Sequence, residues 1–589
     1  MALFTQSESP AVVVKEVDLT GGVPNVQSTT GAFVGNFRWG PVEQRTLIAN
    51  EQGLIDAFAT PDTSNNRNIE FASASQYLRY SNSLQVVRAI DASAVNSTST
   101  TGKTSAYVAG GYTKPVVKNK TNFDAQQAGL DSDGHTFVAR FPGDLGDGLR
   151  VSFCPPSTSD SDFTNWTYKS SFDGAPSTST YATNRNGSFD ELHVAVIDVN
   201  GKFTGTNNSV LETYPYVSVA TDAKNADGST NYVIDVINER SEYIHMVAFD
   251  SDYTADNAGT ALTPGTAKTF LSANTTTVNY EFDSGANSGT LGASEYATGF
   301  DLFEDKDQVE VDFLIAPGMA DRTTQTTVTN DLVANAAARK DCVAVTSPSR
   351  ADVVNVTSGA TITTNVTATA DTFTNSSYLV MDGNYLKVYD KHNDVYVQVP
   401  AASSTAGIMA ATDNERAAWF SPAGSRRGQY FGVTAIDYTP TKSQRDTLYK
   451  AGVNPVANIP GQGILLFGDK TKLNRPSAFD RINVRRLFLV LERAISRAAE
   501  SVLFEFNDEF TRAEFVNIIE PVLREVKGRR GITDFRVVCD ETNNTAEVID
   551  RNEFVASIFI KPARSINYVT LNFVAVRTGV DFEEVVGTV

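Results

Sequence analysis

Three kinds of hydrophobic pattern follow one another along this chain of 589 residues. Residues 1–92 mix β-branched runs, such as AVVVKEV at 11–17, with helix-like stretches. From about 93 to 300, short β-branched runs alternate with Ser, Thr, Asn, Asp and Gly. That pattern predicts an all-β insertion with long loops. Within it, ELHVAVIDVNGKF (191–203) alternates apolar and polar and predicts a hairpin turning at Asn200–Gly201. From about 305 the period changes. QVEVDFLIAPG (308–318) reads as a buried strand, TTVTNDLVANAAARKD (326–341) as a helix and CVAVTSPS (342–349) as a second strand. Strand, helix, strand at this length is a βαβ unit, with parallel strands in a covered sheet. Residues 351–400 return to a β pattern, and SYLVMDGNYLKVYDKHNDVYVQVP (377–400) is expected to turn at Asp382–Gly383.

The C-terminal region is the most regular. Leu487, Leu491, Ala494, Ile495, Ala498 and Val502 recur at helical spacing and predict one amphipathic helix over 481–505. Thr511 and Glu514 have the spacing of a capping box. Phe515, Ile518, Ile519, Val522 and Val526 then mark a helix that Pro521 should kink or restart, with Gly528 and Gly531 as stops. Strands are expected at 532–540, 553–562 and 566–577. The fold class is therefore a multidomain α+β and α/β protein. An α/β core is built from both chain ends, with inserted all-β peripheral material and extended terminal arms. The segments are an arm at 1–22, the first part of the core at 23–92 and the β-rich insertion at 93–304. A core βαβ segment at 305–350, a β-rich segment at 351–412, a C-terminal domain at 413–578 and a second arm at 579–589 follow.

Composition narrows the function classes. The chain is 41% hydrophobic and 20% charged, as folded proteins are, and carries a net charge of -20. Such a charge repels nucleic acid and anionic membranes, so neither is expected as a partner. Cys154, Cys342 and Cys539 are far apart and show no metal or disulfide spacing. The N-terminal MALFTQSESP has neither the basic nor the apolar region of a signal peptide, and no run of 18 apolar residues suggests a membrane span.

Chemical motifs fail on inspection. Thr101-Gly102-Lys103-Thr104 ends like a P-loop, but position 97, where the first glycine belongs, is serine. Asp131, Asp133 and Gly134 begin like a calcium loop, but position 142, where the bidentate Glu belongs, is proline. His135, His193, His245 and His392 include no pair three or four residues apart, and His193 lies inside an alternating strand. No GxSxG elbow occurs. No catalytic residue, metal ligand or cofactor is expected. One charge feature stands out: Arg486, Arg493 and Arg497 fall within about 40° of one another on the 481–505 helix, away from its apolar stripe.

Several stretches resemble the major sheath proteins of contractile phage tails. They include LYKAGVNPVANIPGQGILLFGDKT (448–471), INVRRLFLVLERAI (482–495) and residues 504–545. SPAVVVKEVDLT (9–20), STTGAFVGNFRWGPVEQRTLI (28–48), FASASQYLRYSNSLQVVRAID (71–91) and FPGDLGDGL (141–149) also look like the family. The resemblance implies a structural subunit and not an enzyme. Six-fold rings would stack helically around a tail tube, with the baseplate and the neck terminator as further partners. The sheath would be assembled in the host cytoplasm, reside in the virion and contract to drive the tube through the host envelope. It also implies that the C-terminal domain lines the tube, with Arg486, Arg493 and Arg497 near it. Val12, Val13, Val14, Val17, Val580, Phe582, Val585 and Val586 would lie on strands added to neighbouring subunits. An adhesin would also suit a polar, acidic β-rich chain, but does not need the α/β half. A phage-like bacterial injection device would use a similar subunit.

The broken P-loop predicts that the protein does not bind ATP. Calorimetry at micromolar ATP is expected to show no heat of binding, for the natural chain and for Lys103→Ala alike.

Overall fold

Alternate residues of the Gly31–Gly35 strand are apolar on both faces: Ala32 and Val34 point one way and Phe33 the other, all fully buried. The neighbouring strands repeat the arrangement, as a covered parallel sheet requires. In the computed structural model, which describes residues 29–99, 114–156, 161–263, 265–271, 276–500 and 502–565, these strands form one six-stranded sheet. Its order is Leu379–Met381, Val343–Thr346, Phe313–Ile315, Gly31–Gly35, Leu84–Arg88 and Arg45–Ile48. All pairs are parallel except the last. The βαβ unit is present, with the Arg322–Arg339 helix joining two strands that pair parallel, Phe313 beside Val343.

Helices cover both faces. Ala293–Asp301, Arg322–Arg339 and Gly359–Thr372 lie over Ala32, Val34, Val87 and Leu314. Arg67–Leu78, Ala402–Glu415 and the start of Ile482–Glu500 lie over Phe33, Val86, Ile315 and Val345.

The inserted region folds around a second sheet of seven strands, all antiparallel. It is not all-β, which corrects the expectation. Lys120–Ser132 is a helix, capped by Asn119 accepting from Asn122 N at 3.0 Å. It buries only Phe123 and Leu130, too sparse a stripe to read as amphipathic. Val233–Arg240 is a helix in which Val233, Ile234, Val236 and Ile237 are buried; tertiary packing overrides β-branched propensity there. The 351–412 segment is likewise helical over Gly359–Thr372 and Ala402–Glu415. In the first of these, Ile362, Val366 and Ala370 recur every fourth residue among threonines.

Two turns also differ. Glu191–Asp198 does pair antiparallel with Ser209–Ser218. The connection is long, however, and Asp198 organises it by accepting from the backbone N–H groups of Lys202, Phe203 and Thr204 at 2.9 Å each. Asp382–Gly383 is not a hairpin turn. The chain leaves the parallel sheet there and enters a three-stranded antiparallel sheet, Tyr385–Asp390 pairing with Val395–Pro400.

The described chain forms two compact units, residues 29–418 with 422–493, and residues 419–421 with 494–565. In the second, the Glu509–Gly528 helix packs on a two-stranded antiparallel sheet of Ile532–Val538 and Ser557–Pro562. Residues 422–493, which the sequence groups with the C-terminal segment, cluster with the larger unit. The expected 566–577 strand and both terminal arms lie outside the described residues.

His193 sits in its strand as the alternation predicts, its Nε2 2.8 Å from Gly174 O and its Nδ1 accepting from Tyr216 N at 3.0 Å. His245 is different. It is fully buried, stacks on Phe123 at 4.1 Å, and neither ring nitrogen has a hydrogen-bond partner. Burial, then Arg140 and Lys120, pushes its pKa down to about 3. The folded state therefore binds fewer protons than the unfolded one between pH 6.5 and 3, and stability falls through that window as pH drops, by at most about 1.4 kcal/mol per pH unit. His245→Leu is expected to lose this share of acid lability. Measured as urea midpoints at pH 7 and pH 5, the drop should be smaller in the variant than in the natural chain.

Candidate assembly surfaces

In a doubly wound sheet, ligands bind where strand order reverses, at the C-terminal ends of the strands. Here that place lies beyond Gly31–Gly35 and Phe313–Ile315, and this chain's own side chains fill it. Glu70 accepts from Asn36 N at 2.5 Å and from Tyr296 Oη at 2.7 Å. Asn36 Nδ2 donates to Gly289 O at 2.8 Å. Burial pushes the Glu70 carboxyl up to about 7. Among the described residues no group of His, Cys, Asp or Glu could hold a metal ion. The P-loop-like Lys103 lies outside the described residues. Candidate sites are therefore surfaces.

The resemblance puts Arg486, Arg493 and Arg497 of the Ile482–Glu500 helix near the tube. The structure holds two of them in ion pairs. Arg486 is 4% exposed, donating to Asp413 Oδ1 at 2.7 Å and to Met409 O at 3.1 Å, over the Phe313 ring. Arg493 pairs with Asp312 Oδ1 at 2.8 Å and donates to Asp341 O at 2.8 Å. Asp312 also accepts from Thr30 N at 3.0 Å. These partners precede the strands at 31, 313 and 343, so the helix crosses the N-terminal ends of the parallel sheet. Burial lifts Asp312 to about 6 against the pull of Arg493, leaving it ionised at neutral pH. A stripe opposite Leu487 and Leu491 is thus an inner stripe, because apolar residues and paired arginines are both buried on this helix. Arg497, the third member, is half-buried and belongs to the smaller unit.

The smaller unit is held by Phe515, Ile519, Leu523 and Val526 of the Glu509–Gly528 helix. Its N-cap is Asp508, accepting from Thr511 N at 2.8 Å, so the capping box expected at Thr511 and Glu514 does not form. Pro521 stays inside one continuous helix, on the exposed side. The carbonyl it leaves unpaired, on Asn517, belongs to an exposed residue and can be hydrated. Trp419 Nε1 donates to Arg529 O at 3.1 Å beneath the Arg529 guanidinium. Against this small core stand large exposed apolar side chains: Leu503, Phe504 and Phe506 in the loop before the helix, Phe510 in its first turn, and Phe559 on the sheet. Phe504 projects fully into solvent from a backbone with φ of 72°. Large exposed apolar side chains of this kind mark an interaction surface.

Removing one partner of a buried ion pair leaves an uncompensated charge, at a cost of about 3–5 kcal/mol. Arg486→Ala is expected to destabilise the larger unit by that order, seen as a lower urea midpoint.

Comparison with known proteins agrees with this geometry. Residues 289–472 match the family model of the phage tail sheath protein central domain, and residues 474–575 that of the phage tail sheath C-terminal domain. The tail sheath protein of Vibrio phage KVP40 is 32% identical, the match covering 98% of this chain and 99% of the relative. That of Enterobacteria phage T4 is also 32% identical, with the same coverage. The crystal structure of the sheath tail protein of Listeria innocua, at 10% identity, covers 91% of this chain and 96% of its own with a TM-score of 0.51, a likeness of fold. A polypeptide with this α/β core, an inserted antiparallel sheet and near full-length identity to such relatives belongs to the tail sheath proteins of contractile-tailed bacteriophages.

Proposed function

We propose that the chain polymerises as six-fold rings stacked helically around a tail tube, anchored to a baseplate and closed by a neck terminator. It acts without catalysis or cofactor. It is assembled in the host cytoplasm and works by moving between two lattice packings as a rigid body. The observations that carry this reading are the near full-length similarity to tail sheath proteins and, in the smaller unit, solvent-exposed Leu503, Phe504, Phe506, Phe510 and Phe559 beside a sheet that has two strands among the described residues. Strands from neighbouring subunits would complete that sheet, since added strands satisfy edge N–H and C=O groups.

The strands we assign to this role are the terminal runs with Val12, Val13, Val14 and Val17, and with Val580, Phe582, Val585 and Val586. For the tube, Arg497 is the remaining candidate of the three arginines. Exposed pairs worth about 0–1 kcal/mol each suit a contact that contraction has to break.

Deleting residues 1–20 or 580–589 is expected to leave a folded monomer that no longer forms long hollow tubes in negative-stain microscopy. Long contractile tubes from either truncated chain would refute the strand-exchange reading.

A further inference from the structure

The larger unit carries two oppositely charged surfaces that its own fold keeps apart. The first is basic. Arg416 follows the Ala402–Glu415 helix, and burial, then the nearby Arg416 and Arg426, lower the Arg427 pKa against the pull of Glu415. From 416 to 436 the sequence contains no acid. Phe431 in the same loop is 56% exposed and leans on Tyr80 at 5.7 Å, and the Arg79 guanidinium lies against Gly432. In a chain of net charge -20 this is a concentrated cationic surface with an apolar anchor.

The second surface is an open sheet edge beside an acidic groove. The Arg45–Ile48 strand is the last of the six, paired on one side only among the described residues, and its Leu47 is 61% exposed. A groove of about 740 Å³ runs beside it, lined by Glu43, Gln44, Asp301, Glu304, Asp305 and Gln308. Residues 301–310 hold five acids and one base, Lys306. The cations at hand are already engaged: Arg45 donates to Leu302 O at 2.9 Å, and Lys118 pairs with Glu43 at 2.5 Å. Crowding shows in Asp331, which burial, Asp301 and Glu304 together push up.

The two surfaces cannot meet within one subunit. The acidic groove continues from the Ala293–Asp301 helix on one face of the sheet. The arginines follow the helices on the other. We infer that the acidic groove and open Arg45–Ile48 edge of one copy receive the Arg416–Phe431 surface of a second copy. Two different patches meeting head to tail make a heterologous contact, which propagates into rings or helices and does not stop at a dimer. Leu47 and Phe431 supply apolar area, and the charges set the direction. The inference rests on the polymerising role proposed above and names a joint in that polymer distinct from the terminal arms.

The test uses two full-length variants. One carries Asp301→Lys, Glu304→Lys and Asp305→Lys; the other carries Arg416→Glu and Arg426→Glu. Each should keep the natural circular dichroism spectrum as a monomer. Each alone should raise the concentration needed to form sedimenting tubes by about tenfold or more, because several pairs turn repulsive. A 1:1 mixture should restore assembly, since the reversed groove of one variant fits the reversed loop of the other while the unreversed surfaces still match. Tubes from either variant alone at the natural concentration, or a mixture that assembles no better than its parts, would overturn the contact. Absence of tubes from the natural chain would instead overturn the polymerising role, so the two readings fail separately.

Discussion

A single buried cation ties the loops of the six-stranded and seven-stranded sheets together. Arg88, at the end of Leu84–Arg88, is fully buried and faces carbonyls instead of a carboxylate. Its guanidinium donates to Phe37 O and Gly40 O at 2.9 Å each, to Arg38 O at 3.3 Å and to Pro142 O at 2.7 Å. Burial lowers its pKa to about 9, so it stays charged at neutral pH. A buried charge without these partners would be very costly; hydrogen bonds to a charged group each return about 1.5–3 kcal/mol. The loop after the first core strand and the loop between the Phe137–Ala139 and Leu149–Cys154 strands of the inserted sheet are therefore tied to one side chain. Gly40 and Gly143, at φ of 99° and 141°, let the carbonyls close in: a Cβ would sit 2.5 Å from Ala57 O at the first and 2.9 Å from Arg38 O at the second.

The insertion is attached at further points beside this one, Val42 N donating to Lys118 O at 2.9 Å and Asn119 Nδ2 to Val42 O at 3.1 Å. Trp39 packs edge-on against Phe141 and Phe203, adding apolar area around the guanidinium. Beyond these junctions the seven-stranded sheet has its own core, from Phe137 and Phe153 to Tyr253 and Tyr280. A module with its own core can vary in length and surface while the six-stranded sheet stays intact.

What the sequence made legible follows from periodicity, and what it concealed follows from burial of polar groups. The βαβ unit and the Ile482–Glu500 helix were readable because their apolar residues keep a clean period over many residues. Val233–Arg240 and Gly359–Thr372 were not, because Thr, Val and Ile fit either a pleat or a helix face until packing decides. Arg88 gave no signal at all: within LQVVR it looks like a solvent-facing residue at the end of a strand. Arg486 and Arg493 misled for the same reason. Helical geometry placed them correctly on one side, but only the sheet reveals that Asp312 and Asp413 wait there. One sign was available in the sequence, the strand-initial Asp312 before FLI, an acid that a buried parallel strand has to pair.

These buried pairs bear on how a sheath subunit can move. The first half of the Ile482–Glu500 helix is bound to the N-terminal ends of the parallel strands by Arg493 and to the Ala402–Glu415 helix by Arg486, and Arg485 adds stacking on Tyr378 and Phe479. Breaking either buried pair exposes an unmatched charge, so that half moves with the sheet as one body. Its second half belongs to the smaller unit, where Arg497 is half-buried and Phe504, Phe506, Phe510 and Phe559 are exposed. Rigidity is thus concentrated where ionic pairs are dry, and adhesive surface where the local core is smallest. A subunit that must keep its own shape while exchanging neighbours needs that division, because contacts that have to be remade must be cheaper to break than the fold that carries them.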